Sequence, residues 1–284
     1  MKRSYSILVL AVLIHLSSTA QVKNVIYSID KAGYQTSYLF GTVHMIPADK
    51  LAFSEATIAA LFSCRQLVME ADISPENLNA GLLRYVRIPN GGTLDTLLTE
   101  KEYRQLDSAL IVNGGLGMKA YKYFKPFFID ATLMSSVAPK NAEVVEKVLL
   151  DLVSADTTLT ISYLETIQEQ MCVFDSIPLR EQLKYTLLYV QDPDKMNGDY
   201  DLLVDRYVNA DVEGLDKLIN EVYEDKIFTY YLVEKRNKAW VPQLMALMQE
   251  QSTFIAVGAG HLGGNIGLLN LLSQQGFTVK MLEQ

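Results

Sequence analysis

The chain has 284 residues, of which 49% are apolar and 20% are charged, and it carries a net charge of −8. This composition is typical of a folded globular protein and excludes a disordered, collagen-like or low-complexity chain. With this excess of acidic residues we expect no nucleic-acid partner and no binding to an anionic membrane surface. Two cysteines, Cys64 and Cys172, are too few for a disulfide framework. Whether they pair is left open, and we expect two buried free thiols.

The amino terminus has the pattern of a secretory signal peptide. Two basic residues precede an apolar run over residues 7–14, and small residues lead up to Ala20. The alternative is a short membrane anchor, but this run is about half of the roughly 20 residues that a spanning helix needs. We therefore predict a signal peptide over residues 1–20 and a single domain over residues 21–284. The protein is expected to be exported, periplasmic or secreted, with no stable membrane insertion after cleavage.

Strands and helices are expected to alternate along the rest of the chain. In order, the pattern predicts a hairpin of strands over 24–30 and 34–43, a helix over 54–64 capped by Ser54, a strand over 66–70, helices over 75–156, a strand over 160–164, long helices from 166 past 240, a strand over 253–257, a helix over 266–274 and a last strand over 277–282. This order predicts an α/β fold with a central sheet and large helical insertions. The opening hairpin makes the sheet mixed.

Two histidines follow strands in the same way. His44 and His261 each stand three residues after a glycine, Gly41 and Gly258, at the carboxyl end of an apolar strand. A glycine there lets the chain leave the sheet sharply and lets a side chain approach the backbone. The two ends of the chain thus share one pattern of strand, Gly-x-x-His, helix and strand. The structural alternative is that these histidines are core residues bonded to backbone carbonyls.

Two more predicted strands end in acids, Glu70 and Glu165. Carboxyl ends of parallel strands lie at one edge of a sheet, so we expect both acids to meet both histidines in one cleft. Two imidazoles and two carboxylates suit a divalent transition-metal ion. Alternatively, Glu70 is a solvent-facing charge and Glu165 a helix first-turn acid. By default, Arg236 and Asn237 lie on the solvated face of a helix.

Five motifs stand in order along the chain: Tyr38-Leu39-Phe40-Gly41-Thr42-Val43-His44, Leu67-Val68-Met69-Glu70, Tyr163 to Gln170 with Phe174-Asp175, Arg236-Asn237 with Trp240, and Gly258-Ala259-Gly260-His261-Leu262 with Gly267. In these motifs the chain resembles the TraB/GumN family, whose wider group includes the Tiki metalloproteases and, distantly, ChaN-like and erythromycin-esterase-like proteins. The resemblance implies an α/β fold with paired Gly-x-x-His elements. It also implies a divalent-metal centre that uses His44, His261 and Glu70, while Glu165, Arg236 and Asn237 match motifs of the family.

The sequence therefore leads to the hypothesis of an exported metal-dependent hydrolase, a peptidase in the first instance. His44, His261 and Glu70 would hold Mn²⁺, Co²⁺ or Zn²⁺, a second carboxylate would take a proton from water, and Arg236 or Asn237 would stabilise the oxyanion. Two alternatives are a protein that binds a peptide or small molecule without cutting it, and a metal-free esterase-like hydrolase. We also expect alanine at either histidine to abolish hydrolysis without lowering the stability of the metal-free protein.

Overall fold

The computed structural model describes residues 23–74, 77 and 83–284. The predicted signal peptide over 1–20 and its cleavage site lie outside the described residues. So does residue 75, where the first helical insertion was predicted to begin.

A six-stranded mixed sheet forms the centre of the fold, as predicted. The strands of the fold are β1 (Ile26–Asp30), β2 (Ser37–Thr42), β3 (Ile46–Pro47), β4 (Gln66–Met69), β5 (Ala142–Glu143), β6 (Thr160–Tyr163), β7 (Thr253–Gly258) and β8 (Thr278–Met281). In the central sheet their order is β6-β4-β7-β2-β1-β8. The first four of these run parallel, whereas β1 pairs antiparallel with both β2 and β8. The short strands β3 and β5 pair in a separate ladder that the sequence did not predict.

Helices fill the two long insertions on either side of β6. The helices are α1 (Glu55–Ser63), α2 (Leu83–Val86), α3 (Glu100–Gly114), α4 (Met118–Tyr121), α5 (Pro126–Val137), α6 (Val145–Val153), α7 (Ile167–Cys172), α8 (Leu179–Gln191), α9 (Pro193–Val208), α10 (Val212–Val222), α11 (Lys226–Thr229), α12 (Lys235–Glu250) and α13 (Leu268–Gln274). The predicted cap of α1 is confirmed, because the Ser54 hydroxyl accepts a hydrogen bond from the Thr57 N–H. None of the helices in the described part of the chain is long and apolar enough to span a membrane.

The main core lies between the central sheet and the helices that cover it. Phe40 and Phe254 on adjacent strands and Trp240 on α12 are fully buried there. Smaller apolar clusters hold the helical insertions together, one of them centred on α3, α5 and α8. The expectation for the cysteines is half wrong: both thiols are free, but only Cys64 is buried, and Cys172 is exposed at the end of α7.

Gly41 allows the two Gly-x-x-His elements to pack against each other. β2 and β7 are parallel neighbours, and Gly41 lies opposite Val257 in their register. A Cβ atom on Gly41 would lie 2.8 Å from Val25 Cγ1 and 3.1 Å from Ala259 Cβ. Because carbon atoms in folded proteins do not approach this closely without displacement, glycine is required by packing at this position.

We predict that Gly41→Ala destabilises the protein by about 1–3 kcal/mol, because the added methyl overpacks the junction between the two elements. A matched control is Gly198→Ala in α9, where nothing lies within 4 Å of the added Cβ. That change should stabilise the protein by about 0.5–1 kcal/mol through helix propensity. Urea denaturation of both variants measures the difference, and equal midpoints would contradict this account of Gly41.

Candidate functional site

The carboxyl ends of four adjacent parallel strands bring the predicted residues to one edge of the sheet. Glu70 follows β4, Glu165 follows β6 after one residue, and the Gly258 turn ends β7. The Glu165 N–H donates a hydrogen bond to the Glu70 carbonyl oxygen at 2.9 Å, which extends the ladder beyond the strands. His44 follows β2 after one residue. The carboxyl ends of these four strands therefore lie at one edge of the sheet.

Arg236 lies between the two acids and joins them. Its Nη2 donates to Glu70 Oε2 at 2.6 Å and to Glu165 Oε2 at 3.0 Å, while its Nε donates to both Glu165 oxygens at 3.1 Å. All three side chains are nearly buried, with exposed fractions of 11%, 14% and 13% for Arg236, Glu70 and Glu165. Burial of charges is tolerated only when they are paired and hydrogen-bonded. The default interpretation of Arg236 as a solvated residue is thus wrong.

Helix α12 presents Arg236, Asn237 and Trp240 to this site from its first two turns. Arg236 and Trp240 are four residues apart and share one face of the helix. Trp240 Nε1 donates to Glu165 Oε1 at 2.9 Å, and its ring lies 4.6 Å from the Arg236 guanidinium carbon. A π-helical segment, Tyr230–Glu234, precedes α12 and supplies the Leu232 carbonyl that accepts from Arg236 Nη1 at 3.1 Å. The sequence predicted a regular helix here, because a π-helical turn has no sequence signal.

Glu70 is held as a carboxylate by donors from three directions. Besides Arg236, the Gly258 N–H donates to its Oε1 at 2.7 Å and Gln170 Nε2 donates to its Oε2 at 2.9 Å. Burial by itself would raise the pKa of Glu70, but the Arg236 charge and the Gly258 N–H hold it below its usual value. A Cβ on Gly258 would lie 3.2 Å from Glu70 Oε1, so this glycine leaves room for the carboxylate.

Asn237 fixes the tautomer of His261. The Asn237 Nδ2 group donates to the carbonyl oxygens of His261 and Ile266 at 3.0 and 2.8 Å, so its Oδ1 atom is the acceptor 2.7 Å from His261 Nδ1. His261 therefore carries its proton on Nδ1, and its Nε2 lone pair faces Arg236 Nη1 at 3.1 Å. Burial, together with the Arg236 charge, lowers the pKa of His261 to about 3 against the opposing effect of Glu70, so the imidazole is neutral at pH 7.

His44 is held by Glu146, a residue that the sequence analysis missed. The His44 side chain is 82% exposed, and its Nδ1 lies 3.1 Å from Glu146 Oε1, to which Thr42 Oγ1 also donates at 2.7 Å. The hydrogen bond and charge of Glu146 raise the pKa of His44, and the charge of Glu70 acts in the same direction. Solvent around this exposed imidazole screens these charges. Only tertiary contact could reveal Glu146, because it lies on α6 in an unremarkable amphipathic pattern.

The predicted residues thus divide into a buried group and an exposed one. Glu70, Glu165, Arg236, Asn237 and His261 form one hydrogen-bonded network. His44 stands apart from it, since within residues 23–74, 77 and 83–284 its ion-pair partner is Glu146. Trp240 and Gln170 also belong to the network. Both lie within motifs that carry the family resemblance, but nothing in their spacing indicated what they contact.

The side chains suit a divalent ion in kind, although they do not surround one in this arrangement. In the described part of the chain no three His, Cys, Asp or Glu side chains lie close enough together to hold a metal. Of the three predicted ligands, His261 and Glu70 are in contact, with His261 Nε2 and Glu70 Oε1 3.8 Å apart. Both histidines engage Nδ1 with a neighbouring side chain, the usual arrangement of a metal-bound imidazole, which leaves Nε2 as the ligand atom. Arg236 would have to release His261 Nε2 before an ion could use it.

A cavity of about 540 Å³ opens beside the network. Its lining residues are Asp72, Asn77 and the continuous segment from Ser162 to Glu169. Glu165 is the member of the network that borders this cavity. The cavity therefore meets the network at Glu165, whose side chain is 13% exposed.

Comparison with known proteins agrees with the motifs on which the site is built. Residues 25–281 match the TraB/PrgY/gumN family. The chain belongs to this family. It is also 24% identical, over 87% of its length, to Metalloprotease TIKI2 of Danio rerio, and the match spans 58% of that longer protein. No solved structure was found that matches the chain.

The opposite pKa shifts of the two histidines predict opposite effects of pH on stability. The lowered pKa of His261 means that the unfolded chain binds the proton first, so stability falls as pH decreases from about 6.5 towards 3. His261→Gln should remove this dependence, which amounts to at most about 1.4 kcal/mol per pH unit. Because the pKa of His44 is raised in the folded protein, protonation of His44 stabilises the fold below pH 6.5. This stabilisation is lost as pH rises.

We therefore expect His44→Gln to change the pH dependence only above pH 6.5. Denaturant titrations of the wild type and both variants between pH 4 and 9 measure the two effects. If both substitutions changed the same pH range, the opposite directions of the two pKa shifts would be wrong.

Proposed function

We propose that this chain is a metal-dependent hydrolase that acts on peptide bonds. The observation that carries the proposal is the way in which the two Gly-x-x-His histidines are oriented by their neighbours. Each has its Nδ1 held by a side chain, Asn237 or Glu146, at the edge of the sheet where Glu70 is kept ionised. Imidazole and carboxylate ligands fixed in this way are typical of catalytic metal sites. The likeness to a relative named a metalloprotease supports the same function.

His261 Nε2, Glu70 Oε1 and His44 Nε2 are the atoms that would hold the ion. The two carboxylates and one guanidinium of the network sum to one negative charge, which attracts a cation. When bound, Mn²⁺, Co²⁺ or Zn²⁺ supplies Lewis acidity that polarises a carbonyl group and lowers the pKa of water. Asn237 is a positioning residue in this proposal, because its amide is fully buried and fully engaged with His261 and Ile266.

The other chemical roles fall to Glu165 and Arg236. Glu165 borders the cavity, and Arg236 Nε shares one hydrogen between the two Glu165 oxygens, so Oε1 would accept the proton of an attacking water when that hydrogen moves fully to Oε2. Arg236 keeps its Nε and Nη2 bonds to Glu165 while Nη1, once released from His261, is free to donate to the developing oxyanion. Trp240 holds the other side of Glu165 and so limits the directions in which this carboxylate can move.

One observation favours a second candidate function. Arg236 donates to His261 Nε2, the atom that an ion would need, at 3.1 Å. A protein that keeps this bond would bind a peptide or small molecule at the same edge without cutting it. A metal-free hydrolase with His261 as general base is disfavoured, because a pKa of about 3 makes this imidazole a weak base.

We predict that Glu70→Gln, His261→Ala and His44→Ala each reduce hydrolysis of fluorogenic peptides by about 100-fold or more, because each removes a ligand. Glu100→Gln on α3, an exposed acid with 82% of its side chain accessible, serves as the control and should retain wild-type activity. Protein purified without a histidine tag should lose activity in chelator and regain it with Mn²⁺, Co²⁺ or Zn²⁺. Undiminished hydrolysis in chelator would overturn the metal-dependent function, and peptide binding without cleavage would establish the second candidate.

Thermal melts separate the ligand role of each histidine from its structural role. His261→Ala leaves Asn237 Oδ1 without its donor and should cost about 1–3 kcal/mol even without metal. His44→Ala should cost less than about 0.5 kcal/mol, because this side chain is exposed. Added metal should raise the melting temperature of the wild type and of neither variant. The structure thus changes the expectation for His261, which the sequence alone treated like His44.

We also propose that the protein is exported, as its amino terminus suggests. The intact mass of the exported protein should correspond to a chain that begins at Gln21, because signal peptidase reads the small residues that end at Ala20. A chain that retains Met1 and sediments with membranes would instead establish an uncleaved anchor.

A further inference from the structure

The strand β6 forms one edge of the central sheet, and this edge is open in the part of the chain that the structure describes. β6 pairs with β4 on one side, and no strand among the described residues pairs with its other side. Ile161 in the middle of β6 is 41% exposed. Proteins usually protect such edges with charged residues or proline, but the sequence of β6 is Thr-Ile-Ser-Tyr.

The hydrogen-bond pattern shows which backbone groups of β6 face outward. The N–H groups of Thr160 and Leu164 donate to carbonyl oxygens of the β4 side, at 3.0 and 2.9 Å. Because backbone groups alternate in direction along a strand, the N–H and C=O groups of Ile161 and Tyr163 point away from the sheet. These residues present an ordered row of donors and acceptors to any extended chain that lies beside them.

This open edge leads directly into the candidate site. The cavity beside the network begins at Ser162 in β6 and continues along the chain through Glu165 to Glu169. Glu165 follows β6 after one residue and is a hydrogen-bond partner of Arg236. An extended chain beside β6 would therefore emerge over Glu165. The lining includes Asp72 and Glu169 and no basic side chain, which favours a neutral or basic occupant.

We propose that an extended peptide adds to β6 as an extra strand, bonds to the outward groups of Ile161 and Tyr163, and is thereby led past Glu165 into the site. Addition of a strand to a sheet edge is an established mode of peptide recognition, in which backbone bonds supply most of the affinity. This proposal rests on the proposed function, because the edge of β6 would be the substrate-binding surface of the peptidase. It concerns binding, so it can be tested whether or not the peptide is cut.

The first test uses the wild-type protein and a capped, fluorophore-labelled peptide of alternating Val and Thr residues with a lysine at each end. Binding is measured by fluorescence anisotropy on a series of these peptides, each carrying one backbone N-methyl group. Methylation should weaken binding at every second position, because only alternate N–H groups face β6. Equal effects at all positions, or no effect at any, would overturn the proposal.

The second test uses Ile161→Pro, which removes an outward N–H without removing a bond to β4. The matched control is Met281→Pro on β8 at the opposite edge. The Leu282 N–H donates to the Ile26 carbonyl oxygen, so the N–H of Met281 points outward. Ile161→Pro should raise the dissociation constant about tenfold, the effect of one lost hydrogen bond, whereas Met281→Pro should leave it unchanged. Circular dichroism melts verify that both variants fold, and the N-methyl series decides the question if they do not.

These measurements distinguish failure of this proposal from failure of the proposed function. Peptide binding with the alternating N-methyl pattern but without cleavage would uphold the edge and refute the hydrolase. Cleavage of peptides that is insensitive to both N-methylation and Ile161→Pro would uphold the hydrolase and refute the edge. A wild-type dimer that Ile161→Pro converts to a monomer would show that a second copy of the chain occupies the edge, and this outcome would also overturn the proposal.

Discussion

The buried ion pair network of Arg236 is the interaction on which the rest of the site depends. One guanidinium satisfies Glu70 and Glu165 and also contacts His261. Without this cation two carboxylates would face each other in a nearly closed space, at a cost of several kcal/mol. The network therefore holds the ends of β4 and β6 and the turn after β7 in one arrangement, and it ties them to α12.

The sheet and the helical insertions contribute different parts of the site. The ends of the strands supply the acids and the histidines, whereas the insertions supply the side chains that hold them. Glu146 on α6 holds His44, Gln170 on α7 holds Glu70, and Asn237 on α12 holds His261. Because each partner comes from a separate helix, the large insertions act as a second layer that orients the functional groups.

The two Gly-x-x-His elements have the same sequence pattern but different environments. At Gly41 the missing side chain admits Ala259 of the other element, while at Gly258 it admits the Glu70 carboxylate. His261 is buried and neutral, whereas His44 is exposed and has a raised pKa. The same local sequence pattern therefore produces two different imidazoles. His261 is buried with its Nδ1 proton directed at Asn237, whereas the pKa of His44 depends on solvent and on Glu146.

The sequence by itself determined the mixed α/β fold, the order of the central strands along the chain, and the placement of Glu70, Glu165 and both histidines at the ends of strands. These features follow from local periodicity and from the rule that parallel strands end at one edge. Only the tertiary structure decided that Arg236 is buried between the acids, that Glu146 holds His44, and that β6 lies at an edge of the sheet with no described strand beside it. Such contacts join residues far apart in sequence, and their geometry depends on how the helices pack, which no local pattern encodes.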